Sequence, residues 1–270
     1  MKKNRRIFGK IFMVLLMLFF YAPILYIIFF SFNSGSSLSK FNGFSLRWYQ
    51  KMFNDRTMRS AVLNTVSIAV LATVISTIAG TITAIGLSKS GRVLRGVVEQ
   101  VNQLPIMNPE IVTAISLLMF FSALHVEKGY LTMLLAHIMF CIPYVILSIM
   151  PKLRSLDPNI AEAAMDLGAT PWQAMTKVIV PQIMPGIISG ALIAFTMSFD
   201  DFVISYFTTG NGVNNISIWV YSKSKRINPS IYSLSTLVIV ILAVALLLIN
   251  LIQILAERKN KSKNITMMEV

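Results

Sequence analysis

The 270-residue chain contains one cysteine, Cys141, two histidines and eleven acidic residues. A lone cysteine excludes an internal disulfide framework, and two histidines leave little for a metal site, so none is expected. Charged residues make up 13% of the chain, about half of what a soluble domain carries, which argues against a water-soluble enzyme. No cluster of catalytic residue types stands out. The phosphate-binding pattern GxxxxGK[ST] is absent, so any ATP must be bound by another chain. Short alternating segments of the kind that build a membrane β-barrel are missing as well.

What the chain has is hydrophobic length: 55% of its residues are hydrophobic. A helix needs about 20 apolar residues to cross the hydrocarbon of a bilayer. The stretches 11–32, 61–87, 131–150, 187–208 and 231–255 satisfy this without a break, apart from the acids discussed below, and 97–123 satisfies it with one charge, Glu110. The backbone must be satisfied within each span, so the sequence predicts an all-α integral membrane protein of six transmembrane helices in one domain, residues 1–270. The basic leader 1–10 resembles the start of a secretory signal. The apolar run behind it is too long and lacks a small-residue cleavage site, so it reads as a retained helix.

The net charge of +13 follows the topology. With the N-terminus inside, fifteen of the 24 Lys and Arg residues fall in cytoplasmic segments and nine outside, which places both termini in the cytoplasm. Many of the outer ones lie in 33–60, where 44–53 is expected to form an amphipathic surface helix. Trp219 and Tyr221 read as outer interfacial aromatics, Trp219 with the alternative of stacking on a docking partner. His125 falls in an outer loop, and His137 reads as a structural residue bonded to a neighbouring helix.

Acids at membrane depth break the hydrophobic pattern. Asp200 and Asp201 are adjacent in the fifth span, and each costs about 3 kcal/mol to insert at a helix centre. Asp201, Ser205 and Thr208 recur at helical spacing, so on an unbroken helix they form a polar stripe able to face a cavity. Two readings stay open. The pair can receive a cationic ligand that relieves its mutual repulsion, or it can be buried and bonded to neighbouring helices with one acid protonated. Glu110 follows Pro105 and Pro109, which favour a kink or broken helix, and shares a helical face with Gln103 and Thr113. It either lines a cavity or bonds the backbone amides freed by the kink.

Between the fourth and fifth spans, 151–186 is too long and too patterned for a connector. Asp157-Pro158 suits a helix start and 160–167 a short amphipathic helix, punctuated by Gly168 and Pro171 and resuming over 172–178. Within it, Glu162-Ala163-Ala164, Gly168 and Val178-Ile179-Val180-Pro181 resemble the EAA loop of ABC importer permeases, with valine at two positions where that family has Ile and Leu. The resemblance extends over nearly the whole chain to permeases of spermidine/putrescine importers. It is strongest at 30–33, 108–118, 137–143, 162–185 and 198–205.

This likeness implies a type I ABC importer permease fold in which 160–167 is a cytoplasmic coupling helix. It assigns ATPase coupling to Glu162, Ala163, Ala164, Gly168 and Pro181, and the substrate pathway to Glu110, Asp200, Asp201 and Ser205. It further implies a second permease chain, two ATPase subunits that bind ATP and Mg, and an extracellular binding protein docking on 33–60 and 209–230. The expected function is polyamine import with no cofactor in this chain. Import of another small solute, or less readily a secondary transporter, stands as the alternative.

Overall fold

The computed structural model describes residues 2–37, 39–224, 229–241, 243, 244 and 247. They fall into two compact units, Arg56–Tyr221 and a second formed by Met1–Asp55 with Ser222–Val270. Helices account for nearly all of the regular structure in both.

In the first unit three long helices carry the core: α3 (Arg56–Ser88), α6 (Tyr130–Arg154) and α9 (Val180–Asp200). In lipid, helices associate by close packing, and small residues permit it. Accordingly Ala84, Ala136, Cys141, Val145, Ile183 and Ala194 are fully buried, while Leu63, Ile82 and Leu192 on the same helices are exposed. Val145 of α6 lies between two glycines. A methyl on Gly80 of α3 would come within 2.7 Å of its Cγ1, and one on Gly190 of α9 within 3.2 Å of its Cα.

These contacts also fix direction. The Tyr130 hydroxyl, at the start of α6, donates to Ser67 Oγ near the start of α3 at 2.8 Å, so α3 and α6 run parallel. Along α9 the partners in α6 run backwards, from Ile149 at Gly186 to Cys141 at Ala194 and His137 at Ser198, so α9 is antiparallel to α6. Second, fourth and fifth spans of a serpentine chain must have these relative directions.

Among the described residues four helices are long and apolar enough to cross a membrane: Gly9–Ser31, Arg56–Ser88, Tyr130–Arg154 and Pro171–Asp200. The expected span 97–123 is two helices, α4 (Arg92–Met107) and α5 (Glu110–Ala123), turned by 104°. Pro109 pushes Asn108 into extended backbone (ψ 143°), as the residue before a proline prefers, so the helix stops rather than kinks. The expected span 187–208 begins earlier and ends sooner, because Pro181 falls within the first turn of α9, where no backbone N–H is needed, and because Asp201 leaves the helix. The last expected span, 231–255, is represented by the apolar helix Ser230–Ile241, and most of its remainder lies outside the described residues.

In the second unit, α1 (Lys2–Ser31) leads into a loop organised by Asn33, which is 1% exposed. Its Nδ2 donates to the carbonyls of Ser37 and Lys40, both at 2.9 Å, and its Oδ1 accepts from the Gly35 and Asn42 amides. The amphipathic helix expected at 44–53 is α2 (Arg47–Asn54), with Trp48 and Met52 buried and Arg47 and Lys51 lying over the Trp48 ring.

Candidate functional site

Asp200 is the last residue of α9, and the chain leaves the helix at Asp201 (φ −58°, ψ 131°) before α10 (Val203–Thr208) begins. A helix start leaves amide hydrogens without acceptors, and a side-chain oxygen supplies one. Asp201 does so twice: Oδ1 accepts from Ile204 N–H at 3.2 Å and Oδ2 from Ser205 N–H at 2.7 Å. The carboxylate is therefore spent on the break itself.

His137 of α6 holds the other side of that break. Its Nδ1 lies 2.6 Å from Ser198 Oγ, and its Nε2 lies 2.9 Å from Ser205 Oγ and 3.4 Å from Asp201 Oδ2. Asn215 closes the cluster, its Nδ2 donating to the Asp201 carbonyl and to Ser205 Oγ, both at 2.8 Å. His137, Asp201, Ser205, Ser198 and Asn215 are each at most 4% exposed. The polar stripe expected from Asp201, Ser205 and Thr208 exists, but it points into α6 rather than a cavity, with the Thr208 carbonyl accepting from Thr132 Oγ1 at 2.8 Å. The helix break rotates these residues away from where an unbroken helix would have carried them.

Asp200 has the opposite environment. It is exposed, on the carbonyl end of α9, where the helix dipole is negative and no cation is supplied by the last turn. Glu110 is exposed too, and it shares a hollow with Ile204, the α10 residue whose amide Asp201 caps. The 104° turn at Asn108-Pro109 puts Glu110 in the first turn of α5, a favourable place for an acid, and not in mid-helix. It also separates the face expected to join Gln103, Glu110 and Thr113. Glu110 and Thr113 line a hollow of about 150 Å³ with Phe140, Tyr144 and Met197, whereas Gln103 lines another with Glu99 and Arg154. Because α5 packs against α10, Glu110 lies at the level of the helix break, although 90 residues separate it from Asp200.

Residues 157–179 form the short helices expected of them. Asp157 Oδ1 accepts from Asn159 N–H at 2.9 Å, and α7 (Ile160–Asp166) follows. Its end is a Schellman turn: Gly168 N–H donates to Met165 O at 2.9 Å and Ala169 N–H to Ala164 O at 3.1 Å, with Gly168 at φ +89°. A capping box between Thr170 and Gln173 starts α8 (Pro171–Gln173), and a π-helical stretch, Ala174–Ile179, leads into α9 at Pro181. Glu162 and Ala163 are exposed, Ala164 half-buried, and Leu167 and Trp172 stand 91% and 70% exposed. Beside them opens a cleft of about 660 Å³, lined by Lys89, Arg95, Asp157, Glu162 and Met165.

Sequence reasoning missed Asn215 and Ser198. Asn215 stands in a Gly/Asn-rich stretch that reads as a plain loop, and Ser198 carries no signal of its own. Trp219, read as an outer interfacial aromatic, is 2% exposed and donates from Nε1 to Thr57 Oγ1 at 3.2 Å. Its partner lies on the start of a distant helix, which no local pattern shows.

Residues 73–261 match the family described as "Binding-protein-dependent transport system inner membrane component". The chain is 41% identical over 230 residues to the Escherichia coli K12 putrescine transport system permease protein PotI, covering 82% of each. It is 34% identical over 250 residues to the spermidine/putrescine transport system permease protein PotC of Haemophilus influenzae, covering 92% of this chain and 96% of that one. In fold it resembles a chain of a bacterial ABC transporter that imports the acidic polysaccharide alginate, with a TM-score of 0.72 at 18% identity over 93% of this chain and 96% of that one.

Proposed function

The chain belongs to the family of binding-protein-dependent transport system inner membrane components, and from that premise we propose that it is a permease subunit importing polyamines, spermidine or putrescine, into the cytoplasm. The observation that carries the substrate class is the exposure of Glu110 and Asp200 beside the break that Asp201 caps, Glu110 being brought there by the packing of α5 on α10. An ammonium group placed there would meet two carboxylates and the negative end of α9 at once. An anionic substrate would be repelled by the same groups.

The chain works with partners: a second permease, two ATPase subunits holding ATP and Mg, and an extracellular binding protein. The exposed Leu167 and Trp172 around α7 support ATPase docking there, since apolar side chains at a cytoplasmic turn gain by being covered. ATP-driven closure would then move α9 through the π-helical stretch and Pro181. The positive-inside balance supports cytoplasmic termini.

The test is uptake of labelled spermidine and putrescine in cells lacking this gene and any other polyamine importer, with wild type or variants restored at equal membrane abundance. Wild type is expected to restore uptake. The Glu110→Gln/Asp200→Asn double variant is expected to lose roughly 100-fold, because each charge-assisted hydrogen bond contributes about 1.5–3 kcal/mol. Wild type without polyamine uptake refutes the substrate, and a fully active double variant refutes the site.

Coupling is tested separately. Any side chain at φ +89° costs about 1–2 kcal/mol in the turn, so Gly168→Val should shift α7. In reconstituted complex, ATP hydrolysis is expected to persist while substrate moved per ATP falls several-fold. An unchanged ratio would refute the coupling role of the turn.

A further inference from the structure

We infer that His137 is a positioning residue for transport, acting through the α9–α10 break to keep Asp200 turned toward the substrate path. The inference rests on the reading that Asp200 and Glu110 meet the substrate.

A carboxylate only accepts hydrogen bonds. Asp201 Oδ2 faces His137 Nε2 at 3.4 Å, so the favoured tautomer carries its proton on Nε2, shared between Asp201 and the nearer Ser205 Oγ. Nδ1 is then an acceptor, and Ser198 Oγ, 2.6 Å away, donates to it. The ring thereby joins the last turns of α9, through Ser198, to the first turn of α10, through Ser205, across the very residues where the helix is interrupted. The two aspartates are adjacent, so fixing the Asp201 side chain inward, where it is 4% exposed, leaves Asp200 outward. Without the imidazole, Asp201 keeps its amide donors but loses the side-chain partner that holds it against α6, and the break is free to re-form as helix and rotate Asp200.

The two ring nitrogens make this testable by substitution. A glutamine amide reaches the Nε2 position and an asparagine amide only the Nδ1 position, while leucine fills similar volume with no polar group. A second readout is the rate at which a membrane-impermeant thiol reagent modifies Asp200→Cys in the assembled importer, with the protein lacking that cysteine as control because Cys141 is buried. This rate does not depend on which solute is carried.

Spermidine uptake is expected to stay within about threefold of wild type for His137→Gln and to fall at least tenfold for His137→Asn and His137→Leu, at equal membrane abundance. The labelling rate at position 200 is expected to change at least fivefold in the leucine background and to be restored in the glutamine background. If His137 served only to fill space, leucine would match or exceed glutamine in both measurements, and that order overturns the inference. Unchanged labelling in all three backgrounds overturns it as well, whatever the uptake.

Discussion

Asp201→Ala is expected to leave little folded permease in the membrane, whereas Asp201→Asn is expected to assemble. Alanine removes the acceptor for two amide hydrogens of α10 and the partner of His137 in a site that is almost fully buried. Loss of a cap costs about 1 kcal/mol, and loss of a buried hydrogen bond to a charged group about 1.5–3 kcal/mol. The sum is a large part of the stability of a typical domain. Asparagine caps a helix as well as aspartate does: its oxygen can keep the Ser205 N–H and His137 while its NH2 takes the side of Ile204, so one of the two amide bonds is lost and the other is kept. Uptake by the asparagine variant is nevertheless expected to fall, because the charge beside Glu110 and Asp200 is gone. Size-exclusion profiles and thermal melting of the detergent-solubilised complex separate the two variants. Equal melting of wild type and the alanine variant would show that the network does not hold the break.

Gly80→Leu is expected to abolish assembly while Gly86→Leu, six residues further along the same helix, leaves it intact. A first side-chain carbon at Gly80 already lies 2.7 Å from Val145 Cγ1 and 2.9 Å from its Cβ, so a leucine must force α3 away from α6. Overpacking of a tight interior costs about 1–3 kcal/mol for a few extra methylenes, and more when helices cannot separate. Val145 has little room to retreat, because α9 lies so close behind it that a Cβ on Gly190 would come within 3.2 Å of its Cα. At Gly86 nothing lies within 4 Å. Glycine in a helix is weaker than other residues, so leucine there is neutral or mildly stabilising. Comparable yields of the two variants would mean that the α3–α6 contact does not determine folding.

The membrane class, the approximate spans, the turn at Gly168 and the three acids follow from one-dimensional physics. A hydrophobic run long enough to cross lipid is visible residue by residue, as is an acid whose insertion is costly. Gly168 was legible for a similar reason, since a Glu-Ala-Ala helix that stops short of Pro171 needs a left-handed residue, and glycine adopts that conformation at least cost. His137 was legible in kind, as a bonded structural residue, but not in its partners.

The sequence alone determined that this chain spans a membrane and carries acids within it, because hydrophobic length and charge are properties of single segments. Only the tertiary structure decided what each acid does. Asp200 and Asp201 are chemically identical neighbours, and a periodicity argument assuming one unbroken helix turns Asp201, with Ser205 and Thr208, toward a cavity. The break at Asp201 separates them. There Asp201 caps α10, while His137 of α6 holds the capping side chain and Asn215 returns from a loop to bind the exposed backbone. Those partners come from segments 14 and 64 residues away, and no local pattern records such distances.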